Sequence, residues 1–461
     1  MKVTHVAIGA SQAALLAGRP VLPPELMAAC GARYSRNDEG LKAILSLVDP
    51  ENPDASVDRI FKMMDYGHQS IADMATVSIF MDKISIWLAY LLWSVCPTAG
   101  GQESSTRYIK LSAKHLPDPG LLGIPDTQVS MWQTTIEEAF DAYNQALVFW
   151  ETLAQKQPEL LRIPTSLLND PAKSQQVARM RRNYAFDRAR NFLPVAATTN
   201  MMIVMSARGW IQLCQYLLSH PLPEANLLGN LIRKELELVT PHILKHATRK
   251  ESFVRGIMRE MDKVILLAQE ANPCLEQNAS ITHPDTAYFE ALLPPGSISF
   301  SGDLAFHNNR YAWIGSDLQR SSFRFGWEAV GIAEIRDLNR HRTGTKYCPP
   351  IPKGFYWAAD QMPEHDEGYF ALGEFGRKTS LIALNTLRAG DVSHVYWNLL
   401  GTQLPFEHVT TGDKFVYEGE LRTGAGAHFR YAKHLRNVLT LSYQKFPELK
   451  EVILEGTAEP E

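Results

Sequence analysis

The chain has 461 residues, of which 45% are hydrophobic and 21% are charged, a composition typical of an ordered protein with two or three domains. Its net charge of -4 provides no basic surplus for a nucleic-acid backbone, which argues against polymeric nucleic acid as a partner and leaves a local anion pocket open. The five cysteines stand singly, without a C-x-x-C pair. This spacing argues against a zinc site or a disulfide framework and predicts a reducing, cytoplasmic compartment.

No membrane segment is expected. The most hydrophobic run, residues 84–96, is shorter than the ~20 residues that span a bilayer, so it predicts a buried core helix. The N-terminal 18 residues lack the continuous hydrophobic region of a signal peptide.

Apolar residues at helical spacing predict most of the secondary structure. Helices are expected over residues 71–93, 128–156, 177–190, 200–218, 323–339 and 374–387. The helix over residues 177–190 is rich in arginine, and its default interpretation is a solvated face. Strands are much harder to find by periodicity in this chain.

Two polar groups in the first half attract attention. Gly67-His68-Gln69-Ser70 precedes the predicted helix over residues 71–93. Ser70 is well suited to cap this helix, so a purely structural role is the default interpretation of the group. Glu103-Ser104-Ser105-Thr106-Arg107-Tyr108 follows an irregular stretch that contains Pro97 and two glycines.

The second half carries its own basic group, Arg340-His341-Arg342, at the end of an apolar helical run. Cations in a last helical turn offset the helix dipole, so a purely structural role is an open alternative. Further on stand Leu421-Arg422 and His428. The order of elements in the first half recurs in the second, which indicates an internal duplication with a linker at residues 272–280. We therefore predict one unit over residues 1–280 and another over residues 281–461.

Together these motifs resemble the flavin-dependent thymidylate synthase family, in a long tandem-duplicated form. The family signature is Arg-His-Arg, seven residues and a serine, closed by Glu-x-Ser-x-Arg-Tyr. The first half keeps the Glu103–Tyr108 end but has Val95-Cys96-Pro97 in the place of Arg-His-Arg. The second half keeps Arg340-His341-Arg342 but has Pro350 in the place of the serine. The motifs are individually broken and jointly nearly complete.

The resemblance implies an α+β fold of two tandem thymidylate synthase-like units, mostly helical with a small mixed sheet in each. It implies methylation of dUMP to dTMP with FAD as cofactor, NADPH and methylenetetrahydrofolate as co-substrates, and a homodimer that imitates the family tetramer. No metal is implied.

The implied site residues follow from the matched motif positions. Arg422 matches the arginine that activates the uracil ring, and Ser105 and Arg107 match contacts on the phosphate side. The matched cofactor-binding residues are His68, Ser70, Arg208, Arg340, His341, Arg342 and His428.

Alternatives from other classes remain open. One is flavin-dependent C5-alkylation of another pyrimidine nucleotide such as UMP. Another is a non-catalytic flavin or nucleotide-binding protein. The sequence also leaves open whether the site lies within one chain or between two.

Overall fold

Most of the chain is described by a computed structural model, which covers residues 1–35, 37–38, 40–48, 52, 57–58, 60, 69–96, 99–297 and 299–457. These residues form two compact units. The first contains Met1–Ser104, Pro117–Gly123 and Thr198–Met261, and the second contains Ser105–Leu116, Ile124–Ala197 and Asp262–Glu461. The two family-like halves, residues 1–280 and 281–461, are inferred from an internal duplication, and this division stays a prediction.

Each unit contains one small sheet. In the first unit the strand order is β1-β2-β4-β3, and in the second it is β5-β6-β9-β7 with β8 paired to β9. The strands are β1 (Lys2–His5), β2 (Thr76–Ser85), β3 (Gly100–Glu103), β4 (Thr198–Ser206), β5 (Ala287–Leu292), β6 (Ser322–Gly331), β7 (Thr345–Tyr347), β8 (Gly354–Phe355) and β9 (Thr402–Thr411). Every pairing between these described strands is antiparallel, so the prediction of a mixed sheet is wrong.

The rest of the regular structure is helical, as predicted. The α-helices are α1 (Gln12–Leu16), α2 (Pro24–Tyr34), α3 (Leu41–Ser46), α4 (Ile86–Val95), α5 (Pro119–Leu122), α6 (Val129–Lys156), α7 (Thr165–Leu168), α8 (Ser174–Ala189), α9 (Ala207–Ser219), α10 (Pro223–Glu237), α11 (Glu251–Ala268), α12 (Pro273–Glu276), α13 (Ser316–Arg320), α14 (Ile332–Leu338), α15 (Glu367–Arg388), α16 (Gly412–Thr423), α17 (Phe429–Lys445) and α18 (Glu448–Val452). In the described part of the chain, no helix is long and apolar enough to cross a membrane.

Three predicted helices are wrong over their first half, because a strand occupies it. The segments predicted as helices over residues 71–93, 200–218 and 323–339 contain β2, β4 and β6, each followed directly by a helix. These strands are apolar and largely buried, and a short continuous apolar run does not distinguish a buried strand from a buried helix by periodicity. The β-branched residues of β2, among them Val77 and Ile79, favour the strand.

The change from strand to helix has a local cause in the first unit. Ser85 ends β2, and its hydroxyl accepts a hydrogen bond from the Leu88 amide at 2.9 Å. Ser206 ends β4 in the same manner and accepts from the Gly209 amide at 3.2 Å. Each serine satisfies a backbone donor that the first helical turn leaves open, worth about 1 kcal/mol per cap.

The arginine-rich helix α8 is exposed at Arg179, Arg181 and Arg182, as its default interpretation predicts, and differs from that interpretation at its C-terminal end. Arg188 and Arg190, at its C-terminal end, are 1% and 2% exposed rather than solvated. The Arg188 guanidinium lies 3.5 Å from the ring centre of Tyr184 and 4.4 Å from that of Phe429. Buried cations of this kind need nearby acceptors and ring faces, and the second unit supplies both.

Candidate active site

A cleft of about 630 Å³ in the second unit is the strongest candidate for a functional site. Five cationic side chains line it against one carboxylate, that of Asp413, so it favours an anionic ligand. Its volume lies within the usual range for small-molecule sites. The lining residues are Arg310, Tyr311, Ala312, Trp313, Ile314, Gln319, Arg340, His341, Arg342, Thr343, Asp413, Lys414, Tyr417, Leu421 and Arg422.

The predicted Arg-His-Arg group lies at one wall of this cleft, directly after α14. The helix ends at Leu338, and the chain then turns toward β7. Arg340 lies 3.5 Å from a carboxylate oxygen of Asp337, and the Arg342 Nε donates to the Arg340 carbonyl at 3.1 Å. These contacts hold the two guanidinium groups at the cleft wall while leaving them partly exposed.

Arg422 reaches the same cleft from α16 and is oriented by His341. Its Nε donates to the His341 Nε2 at 2.7 Å. Because a guanidinium only donates, His341 accepts this bond as a neutral imidazole with its proton on Nδ1. Burial lowers the pKa of His341 to about 3, with Glu418 acting in the opposite direction and Arg422 adding to the fall. The imidazole is therefore a fixed acceptor at neutral pH.

A second layer of buried groups supports His341. Glu418 lies 3.9 Å from the His341 Nε2 and 3.0 Å from the His408 Nδ1. Burial acts to raise the pKa of Glu418, but the imidazoles of His341 and His408 hold it well below its usual range. Lys346 donates to the carbonyl oxygens of His341 and Thr343, and burial lowers its pKa to about 8. These two bonds from Lys346 fix the backbone of the Arg-His-Arg group.

Arg107 lies in the second unit too, but in a buried ion pair rather than at the cleft wall. Its Nε and Nη2 both donate to the Asp187 carboxylate at 2.7 Å, and its Nη1 donates to the Gly426 carbonyl at 3.3 Å. Burial acts to raise the pKa of Asp187, but the Arg107 charge leads in lowering it to about 2. Ser105 belongs to the same turn, where its hydroxyl accepts from the Arg107 amide at 3.2 Å.

His428 meets this ion pair at the start of α17. Its Nδ1 accepts from the Arg430 amide at 3.2 Å, so its Nε2 carries the proton and donates to the Asp187 carbonyl at 3.2 Å. Burial lowers the pKa of His428 to about 3, and the charge of Arg190 adds to the effect. In this position His428 caps a helix and braces Asp187, and it is not among the residues that line the cleft.

A further buried carboxyl group lies near the base of the site. Both Glu334 oxygens are buried. Burial raises the pKa of Glu334 to about 7, against the opposing charges of Arg430 and Arg190. Arg190 also lies 3.3 Å from Asp337, the residue that pairs with Arg340. The carboxyl group of Glu334 thus belongs to the charge network behind the Arg-His-Arg group.

Of the remaining predicted residues, Ser70 and Arg208 belong to the first unit. Ser70 lies exposed in a 3-10 helix, Gln69–Met74. Arg208 pairs with Asp73 at 2.8 Å and lines a separate pocket of about 250 Å³. His68 lies outside the described residues. The structure therefore gathers Arg340, His341, Arg342 and Arg422 into one cleft, with Ser105, Arg107 and His428 elsewhere in the same unit.

Sequence reasoning missed several lining residues of the cleft. They are Arg310, Tyr311, Trp313, Lys414 and Tyr417. The available signal was the stretch Arg310–Trp313, which places one cation and two aromatic rings within four residues of a segment that lacks regular periodicity. As for metals, the described residues contain no group of three or more His, Cys, Asp or Glu side chains able to hold an ion.

One comparison with known protein families agrees with the motif resemblance. Residues 22–242 match the model of the Thy1 family, the thymidylate synthase complementing proteins. No curated protein sequence matches the chain. Among solved structures that resemble it is a UMP/dUMP methylase, PolB from Streptomyces cacaoi, bound with 5-Br dUMP. That structure shares 17% sequence identity, covers 53% of this chain and 93% of its own, and has a TM-score of 0.32.

Proposed function

We propose that this chain, whose residues 22–242 match the model of the thymidylate synthase complementing proteins, belongs to the flavin-dependent thymidylate synthase family and methylates dUMP at C5 to give dTMP. FAD is the proposed cofactor, and NADPH and methylenetetrahydrofolate are the proposed co-substrates. The observation that carries the proposal is the meeting of Arg340, Arg342 and Arg422 in one cationic cleft. These are the motif residues for which the resemblance implies roles in cofactor placement and ring activation.

The residues of the cleft suit a flavin nucleotide and a pyrimidine nucleotide. Both ligands combine phosphate groups with a planar ring, and arginine forks bind phosphate and carbonyl oxygens in pairs. We propose that Arg340 and Arg342 hold the flavin, which when bound and reduced supplies the hydride. The aromatic lining residues add ring faces to this charge.

Arg422 is proposed to activate the uracil ring by charge alone. A guanidinium beside a uracil carbonyl stabilises the negative charge that the ring acquires as its C5 becomes nucleophilic. The bond to His341 fixes the orientation of Arg422 before substrate arrives, so no reorganisation is needed during the reaction. The five cysteines are free, and none is among the described lining residues, which agrees with activation without a thiolate.

We further propose that the chain arose by tandem duplication and works as a homodimer in the cytoplasm. In support, β2 and β6 each have ten residues and each leads directly into a helix. Their registers against β4 and β9 shift at matching places, between Met81 and Ile84 and between Trp327 and Val330. Each shift ends one residue before the last strand residue. The free cysteines support a reducing compartment.

The substitution Arg422→Lys tests the proposed activation. Lysine keeps the charge but loses the planar fork, so we expect kcat for dTMP formation to fall by roughly a hundredfold or more, equivalent to ~3 kcal/mol, while FAD binding persists. Arg324→Lys is the matched control, because Arg324 is half exposed in the same unit, pairs with Glu407 and lies outside the cleft. Equal activity of Arg422→Lys and the control would show that Arg422 does not activate the ring.

A further inference from the structure

An exposed aromatic segment, residues 306–313, which the motifs do not include, contributes its residues 310–313 to one wall of the cleft. Tyr311 and Trp313 line the cleft and are 81% and 62% exposed. Tyr417 faces Tyr311 from α16, with 6.3 Å between the ring centres and 48° between the ring planes. Large exposed rings are costly to leave in water, and those beside a cationic cleft indicate a ligand with a ring of its own.

The base of this aromatic segment is held firmly. His307 lies 2.7 Å from Glu420, and both side chains are fully buried. The Arg310 Nη2 donates to the Glu420 carbonyl at 3.4 Å, and the Ala312 amide donates to the Asn309 carbonyl at 2.9 Å. Because its base is fixed, less of the segment has to become ordered when a ligand binds, which reduces the entropy that binding costs.

The charges beside the rings define the kind of ligand. Arg310 lies in the same segment, and Arg340, Arg342 and Lys414 line the cleft with it. A ligand that satisfies both features has a planar heteroaromatic ring joined to an anionic group. Flavin, folate and pyrimidine nucleotides all fit this description.

We propose that Tyr311 and Trp313 form the stacking surface on which the planar ring of the bound ligand lies, while the neighbouring cations hold its anionic group. The inference rests on the proposed function and extends it to positioning residues outside the family motifs. Stacking of a ring on an aromatic side chain tolerates different ring types, because every such ring has a π-face. The surface therefore selects a class of ligand, and the cations and Arg422 select within it.

Tryptophan fluorescence tests this assignment cleanly. The chain has nine tryptophans, and the eight others are at most 5% exposed, so quenching by iodide reports almost entirely on Trp313. We expect that saturation with the ligand that stacks there, whether FAD, dUMP or tetrahydrofolate, protects Trp313 from iodide. The three ligands are tested separately, with correction for their own absorbance, to identify which one stacks.

Binding constants from calorimetry complete the test. Trp313→Ala should lower the affinity for the protecting ligand by roughly five- to a hundredfold, and Trp313→Phe should keep most of the affinity because it keeps a ring. Phe306→Ala is the matched control, because Phe306 is 75% exposed in the same segment but does not line the cleft. Affinity in this control should equal that of the wild-type chain.

Two results would overturn the stacking surface while leaving the proposed function intact. One is ligand binding that neither protects Trp313 from iodide nor weakens in Trp313→Ala. The other is an equal loss of affinity in Phe306→Ala, which would trace the effect to the structure of the segment. If the wild-type chain bound none of the three ligands, that result would instead overturn the proposed function, and the stacking surface with it.

Discussion

Replacement of His341 by leucine removes the acceptor that orients Arg422, and it does so without touching the proposed ligand contacts of Arg422. The bond from Arg422 Nε to His341 Nε2 is 2.7 Å long, and His341 is 8% exposed. A glutamine at the same position keeps a carbonyl oxygen within similar reach but has no proton to gain. The two variants therefore separate the loss of the acceptor from the loss of the imidazole.

The expected magnitude follows from the type of bond. A hydrogen bond to a charged group contributes about 1.5–3 kcal/mol, which corresponds to a roughly 10- to 150-fold fall in kcat/KM if the bond acts through the transition state. We expect His341→Leu to show this fall mainly in kcat, since the arginines proposed to hold the flavin, Arg340 and Arg342, remain. His341→Gln should recover activity to within about tenfold of the wild-type chain.

The assay is the rate of dTMP formation by both variants and the wild-type chain between pH 5 and 8, with thermal unfolding measured in parallel. Because the pKa of His341 is lowered to about 3, protonation of this imidazole should leave no inflection in the wild-type profile in that range. Full activity of His341→Leu would contradict the orienting role of His341. This role would be contradicted equally if leucine and glutamine lowered activity and stability together, because His341 would then serve only the packing.

Three further predictions concern the cofactor and the buried charges. Flavin should bind at no more than one per chain, because each half keeps only part of the motif set, and two equivalent sites in an absorbance titration would contradict this. Arg107→Ala should lower the free energy of unfolding in urea by about 3–5 kcal/mol, since it strands the buried Asp187 carboxylate; lost activity with unchanged stability would mark Arg107 as a ligand contact instead. The pKa of Glu334 is raised to about 7, so the stability that its proton contributes is present below pH 4.5 and is lost as the pH rises through 7. The difference in unfolding free energy between Glu334→Gln and the wild-type chain should therefore shift in favour of Glu334→Gln by about 3 kcal/mol from pH 4.5 to pH 8. A difference that does not change with pH would refute the raised pKa.

The helical part of the fold was predictable because its periodicity is clear. The predicted helix over residues 128–156 corresponds to α6, Val129–Lys156, whose buried residues recur at helical spacing. The strands were not predictable, because β2, β4 and β6 continue into apolar helices without a break in composition. Serine caps, Ser85 and Ser206, mark the change after β2 and β4, and a serine inside an apolar run is a weak signal. After β6 the N-cap is Gly331, which makes no side-chain capping bond.

The candidate site shows a similar division. The motif resemblance identified Arg340, Arg342 and Arg422, which the structure brings into one cleft although Arg340 and Arg422 lie 82 positions apart in sequence. The pairing of Arg107 with Asp187 was hidden, because no local pattern links residues so far apart in sequence. The aromatic wall was missed for a different reason, since sequence does not reveal which rings stay exposed.

The central claim is best tested by anaerobic turnover of the purified chain with dUMP, methylenetetrahydrofolate, FAD and NADPH, with UMP offered in a parallel reaction. Mass spectrometry of the nucleotides follows the gain of one CH₂ group. The account predicts dTMP from dUMP, dependent on both FAD and methylenetetrahydrofolate, with the product absent when either is omitted. Methylation of UMP alone would show that the substrate is UMP rather than dUMP. A chain that binds flavin and nucleotide but forms no methylated product would contradict the claim that this cleft is an active site.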